Sequence, residues 1–138
     1  MKIEIANLNE NLSLDEEALK KLLTKVLQRG GEKRARVSVA LVDDKTMAGL
    51  NRRYLGRRGP TDVLAFPFDQ GPAGKDLGEI VISVETARKV ARRRKKSIKQ
   101  EIYLYAVHGL LHLLGFDHKT PSEAKEMRKK EIEALANL

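Results

Sequence analysis

Apolar and polar residues alternate over residues 2–8, KIEIANL. A period of two predicts a strand. The pattern then lengthens to the helical period, and a helix is expected from about Leu14 to Gln28. Ser13 is placed to cap it, Glu16 completes a capping box, and Gly30-Gly31 end it. RVSVALV, 36–42, is rich in β-branched residues and reads as a second strand. Asp43 or Asp44 caps a helix carrying Met47, Leu50 and Tyr54, which breaks between Gly56 and Pro60. DVLAFPF, 62–68, predicts a short third strand, and Pro67 assigns it to a sheet edge or a strand end.

QGPAGKD then reads as a loop and LGEIVISVE, 77–85, as a fourth strand. From Ser83 onward the pattern is helical. One helix runs to about Lys96. Another starts near Ser97, where Gln100 offers a second capping box, and runs to Leu114. The latter is apolar around most of its circumference, which predicts a central, buried helix. Gly115 stops it. Pro121 opens a last helix, with Thr120 or Ser122 near its cap, whose alternating Glu and Lys/Arg residues, Glu131 among them, read as surface ion pairs. With 138 residues and no repeat or linker, the chain is expected to be a single α/β (α+β) domain over 1–138. About four strands would form a small mixed sheet packed with about five helices.

Composition narrows the function. The chain has no cysteine, which excludes disulfides, thiolate zinc sites and cysteine nucleophiles. No apolar run approaches the ~20 residues that span a bilayer. The N-terminus has neither the basic nor the apolar region of a signal peptide, so a cytoplasmic protein without membrane partners is expected. A net charge of +8 and a pI near 9.8 favour polyanionic partners.

The chemistry concentrates in residues 108–118, HGLLHLLGFDH, which hold all three histidines of the chain. His108 and His112, four residues apart on a helix, project from one face, the geometry by which H-x-x-x-H holds a metal. Gly115 lets the chain turn back and bring His118 to the same ion. One zinc ion per chain is the expected cofactor, although nickel, cobalt or iron suit the same ligands. Three protein ligands leave a fourth position for water, the layout of a catalytic site, and would sit at the end of the central helix. The spacing matches the H-E-x-x-H-x-x-G-x-x-H pattern of zinc proteases, except that Gly109 stands where the glutamate base is required. Zinc alone brings bound water to a pKa of about 7. Peptide hydrolysis also needs a proton for the leaving amine, whereas RNA carries its own 2′-hydroxyl nucleophile. Gly109 thus speaks against a protease and leaves a phosphodiesterase open. Asp117 is a candidate to orient an imidazole or touch the bound water.

HGLLHLLGFDH closely resembles the H-G-x-L-H-L-x-G-[YF]-D-H signature of the YbeY family of endoribonucleases, or rRNA maturation factors. Two further segments are similar to that family's and follow in the same order. GPTDVLAFPF, 59–68, has Ala65 where serine is usual, and LGEIVIS, 77–83, has Glu79 where aspartate is usual. The resemblance implies a metal-dependent, single-strand-specific endoribonuclease with zinc on His108, His112 and His118. It implies roles in maturing the 3′ end of 16S rRNA and in ribosome quality control, hence rRNA and the ribosome or its small subunit as partners. Family members commonly carry an arginine directly after the tyrosine that Tyr54 matches, and it is thought to serve cleavage. Here Leu55 follows Tyr54. Arg57 or Arg53 is the candidate to supply that charge, with Arg52 and Arg58 flanking as RNA contacts.

ARKVARRRKKSIK, 87–99, has no acidic residue, and its Arg92, Arg93, Arg94, Lys95 and Lys96 are read as an RNA phosphate-binding surface. Phe66 and Phe68 are expected in the core, with base stacking as the alternative. Asp62 and Glu79 are candidate bases near the metal water. The preferred reading is a zinc-dependent endoribonuclease. The alternative is a non-catalytic, RNA-binding ribosome assembly factor with a structural zinc.

Overall fold

The computed structural model describes residues 2–9, 11–59, 61–68 and 75–136. Among the described residues nine elements follow one another: β1 (Lys2–Asn7), α1 (Glu16–Arg29), β2 (Ala35–Val42), α2 (Asp44–Leu55), β3 (Val63–Pro67), β4 (Lys75–Ser83), α3 (Val84–Arg94), α4 (Ile98–Leu113) and α5 (Pro121–Leu135). The strands form one sheet in the order β1-β2-β4-β3. β1, β2 and β4 are parallel, and β3 runs antiparallel to β4 along the edge. The fold is therefore a single α/β domain with a mixed four-stranded sheet and five helices.

Capping chemistry sets the helix starts. Asp15, rather than Ser13, caps α1, its carboxylate accepting from the Ala18 N–H. The helix starts two residues later than expected and the Ser13–Glu16 box does not form, because Asp15 and serine are comparable caps and Glu16 already lies inside the helix. Asp43 caps α2, and Ser97 and Gln100 form the expected capping box of α4. The predicted fourth strand ends two residues early, since Ser83 turns its hydroxyl onto the Thr86 N–H and opens α3 at Val84. Gln70–Gly74 of the expected QGPAGKD loop lie outside the described residues, and Lys75 and Asp76 belong to β4.

α4 is the central helix. Ile102, Ala106, Val107 and Leu110 are fully buried, and it packs against α1, α3, α5 and the sheet. On β4, Ile80 and Ile82 face this core, while Val81 faces a smaller cluster with Val42, Met47 and Leu64 beneath α2. α4 comes close against the sheet at Gly109. A Cβ there would lie 2.7 Å from Ile80 Cγ2, with Ile80 Cγ1 and Val63 Cγ2 next nearest. Residue 109 therefore has no room for the glutamate of a zinc protease. The glycine is what allows the helix to seat on β4.

This contact predicts opposite outcomes for one chemical change at two helical glycines. Gly49→Ala on exposed α2, where an added methyl meets nothing within 4 Å, should stabilise by up to about 1 kcal/mol through helix propensity. Gly109→Ala gains the same propensity but overpacks against Ile80, at a cost of roughly 1–3 kcal/mol, so its net effect should be destabilising. Urea unfolding of the two variants measures both signs.

Candidate metal centre

The C-terminus of α4 builds the site. His108 and His112 lie one turn apart on α4. The helix then closes in a Schellman motif, in which the Gly115 N–H bonds the His112 carbonyl and the Phe116 N–H bonds the Leu111 carbonyl, each at 3.0 Å. That closure needs a left-handed residue, and Gly115 has φ 102°. The reversed chain returns His118 to the other two rings. The ring centroids are 4.8 Å apart for His108–His112, 5.4 Å for His108–His118 and 5.1 Å for His112–His118. One nitrogen from each ring lies within 4.8 Å of the others, so the three histidines can hold a single metal ion.

The surroundings suit a metal. Burial, with the neighbouring charges of His108 and His118, holds the His112 pKa below the usual imidazole value, despite Asp117 and a hydrogen bond to the Phe116 backbone. A neutral imidazole is the form that ligates. His108 Nδ1 lies 2.8 Å from Oε2 of Glu131 on α5. That contact engages Nδ1 and leaves Nε2 for the metal. Glu131 is buried, and its other oxygen lies 3.4 Å from Arg128 Nη1. Burial raises the Glu131 pKa, but the hydrogen bond and charge from His108, with those from Arg128, outweigh it and leave the carboxyl below its ordinary value.

Glu131 corrects the expectation of a purely surface-paired last helix. Its sequence signal is weak. Only the spacing Met127–Glu131, with Met127 also buried, marks it as facing inward. Glu131 is the carboxylate in contact with an imidazole nitrogen of His108, a position the sequence did not single out. Asp117 Oδ1 accepts from the His118 backbone N–H at 2.8 Å, and that bond, with Lys119 and the nearby imidazoles, holds its pKa down against a little desolvation.

The histidines open onto a cleft of about 630 Å³ between α4 and the free edge of β3. Leu55, Arg57, Asp62, Val63, Ala65 and Leu113 are among its walls. Of the acidic candidates, Asp62 borders the cleft, with Oδ1 accepting from the Val63 N–H at 2.7 Å. Glu79 shares the β4 face of Val81, opposite the Ile80 face that meets α4, so the sheet separates it from the histidines. Of the arginines, Arg57 lines the cleft. Arg52, Arg53 and Arg58 are exposed nearby. Arg92, Arg93, Arg94, Lys95 and Lys96 are also exposed, but at the end of α3 and the turn before α4, whose start is about 20 Å of helix from His112. The structure does not bring that tract to the histidines.

Removing the orienting carboxylate should weaken metal binding more than it weakens the fold. Glu131→Ala is expected to raise the zinc dissociation constant roughly 10- to 100-fold, and Glu131→Gln less, as read by competition with a chromogenic chelator. Because the folded-state pKa of Glu131 is lowered, its stabilisation of the metal-free protein is present above the unfolded value of about 4.5 and lost as pH falls through the folded value. The stability gap between wild type and Glu131→Gln should close on acidification below that point.

Comparison with known proteins agrees with this architecture. The family model described as endoribonuclease YbeY matches residues 4–138. The chain is 42% identical over 149 residues to an endoribonuclease YbeY of Pelotomaculum thermopropionicum, a match covering 100% of this chain and 97% of that one. It is 41% identical to the endoribonuclease YbeY of Carboxydothermus hydrogenoformans, over 98% of this chain and 96% of that one. Among solved structures, a Thermotoga maritima protein determined in solution superposes with a TM-score of 0.67 at 26% identity, covering 97% of this chain and 89% of that one. Three histidines that can share an ion, on a fold matched along nearly its whole length, establish that the chain belongs to the endoribonuclease YbeY family.

Proposed function

We propose that this protein is a zinc-dependent endoribonuclease that cuts single-stranded RNA at the histidine cleft. The substrate in the cell would be rRNA, at the 3′ end of 16S rRNA, on or near the small ribosomal subunit in the cytoplasm. The observation that carries this reading is the three-histidine cluster opening onto a cleft that one arginine borders. A divalent ion held by His108, His112 and His118 supplies Lewis-acid activation of a phosphodiester and its nucleophile.

The chain's own residues do the rest. Glu131 fixes the His108 ring through Nδ1. Arg57 supplies positive charge in the cleft where the phosphate charge develops. Asp62 is the carboxylate bordering the cleft, positioned by the Val63 N–H to take a proton from the 2′-hydroxyl. Residue 109 provides no base of the protease kind, because Gly109 is packed against Ile80. The exposed Arg92–Lys96 tract would hold RNA that extends away from the cleft. Leu55 favours the second reading, a ribosome assembly factor that binds RNA around a structural zinc, since it places an apolar side chain on the cleft wall.

The two readings separate in one assay. Zinc-loaded wild type should cleave single-stranded RNA, spare duplex RNA and peptides, and lose cleavage in His112→Ala. RNA binding without metal-dependent cleavage supports the assembly factor. Arg57→Ala should lower kcat/KM about 10- to 100-fold. Leu55→Arg, adding a cation to the cleft wall, should raise it; an unchanged or lower rate shows that this position does not reach the phosphate.

A further inference from the structure

We infer that Tyr54 and Phe66 form a base-stacking platform for the nucleotide next to the one in the metal cleft. This inference rests on the RNA reading above. Tyr54 is 57% exposed, though it is large and aromatic. It is held against Phe66, with ring centroids 5.4 Å apart and planes at 66°, an edge-to-face contact that fixes the tyrosine ring. Phe66 is itself anchored on the cluster of Val42, Met47, Leu64 and Val81. The platform is thus rigid at its base and open at its surface.

Its position decides what it can bind. Tyr54 directly precedes Leu55, a wall of the metal cleft, at the C-terminus of α2. On β3, Ala65 pairs with Ile80 and borders the cleft, while Phe66 pairs with Glu79 on the opposite face. The free edge of β3 is all that separates the cleft from the platform. A strand lying across that edge would place one nucleotide at the histidines and its neighbour over Tyr54. Arg53 lies with Cζ 5.5 Å from the Tyr54 ring centroid, and Arg52, Arg57 and Arg58, close by in sequence, are exposed as well. An exposed ring with a guanidinium group beside it is the composition that reads single-stranded nucleic acid, by stacking on the π-face and charge neutralisation of the backbone.

The probe is a 2′-O-methyl RNA decamer carrying 2-aminopurine, titrated against the zinc-loaded full chain. Stacking quenches the fluorescent base. Tyr54→Ala should bind about 5- to 100-fold more weakly and lose the quench, with an unchanged dependence of log K on log salt, because no phosphate contact is lost. Tyr54→Phe should keep both affinity and quench. Arg53→Ala should make the salt dependence shallower by about one unit. Wild-type affinity and quench in Tyr54→Ala overturn the platform while leaving the RNA reading intact. So does weaker binding with a shallower salt slope and a retained quench, which assigns the loss to charge. Failure of the wild type to bind the decamer overturns the RNA reading and the platform with it.

Discussion

The contact on which the site depends is the seating of α4 against β4 at Gly109. A helix carrying any side chain there would meet Ile80 at 2.7 Å and have to stand off the sheet. His108, next to it, and His112, three residues on, face the cleft under β3. Their distance from Asp62, Val63 and Ala65 is therefore set by how closely the helix approaches the strand. The residue that excludes a protease-type glutamate is thus also part of the cleft wall. Packing and catalytic chemistry are constrained at the same atom. A fold built this way cannot regain the missing base by substitution without moving the metal ligands.

The second constraint is the attachment of α5. Among the described residues, Met127 and Glu131 are the buried positions of this helix. One is an apolar anchor, and the other is spent on His108. Burying a carboxylate is costly unless it is hydrogen-bonded and paired. Glu131 meets that condition through His108 on one oxygen and Arg128 on the other. Docking of the last helix and orientation of the first metal ligand are consequently one event, and what loosens α5 also frees the His108 ring.

Much of this was legible in the sequence because it is written in short-range signals. The ligand spacing His108–His112, the glycine at 115 and the Ser97–Gln100 box each act within one or two helical turns, and each appears as expected. The burial of α4 follows from its nearly unbroken apolar circumference. Signals that depend on what lies across space were not legible. Glu131 sits 23 residues from His108 among alternating charges, and its sequence resembles its solvent-facing neighbours. Strand alternation turned Glu79 away from the cleft, because the side of β4 facing α4 is settled by Ile80 and Ile82. Arg92–Lys96 lie at the end of α3 and the turn into α4, so most of the length of α4 separates them from the histidines.

Leu55 and Arg57 bear on how the cleft is charged. α2 ends at Leu55, and Gly56 takes the left-handed conformation, φ 64°, with its N–H bonded back to the Arg52 carbonyl. That reversal turns the chain after one glycine, so Arg57 comes to line the same cleft as Leu55. A cation attached two residues later, beyond a helix cap, stands on a turn instead of the last helical turn. Its long side chain can still reach a phosphate, but more of its conformational freedom is lost on doing so than from a helix-borne position. On the nuclease function proposed above, a cation at 57 in place of one at 55 would keep the sign of the cleft while weakening its preorganisation. Since preorganised charge is the usual source of transition-state stabilisation, the shift should appear in kcat more than in substrate binding.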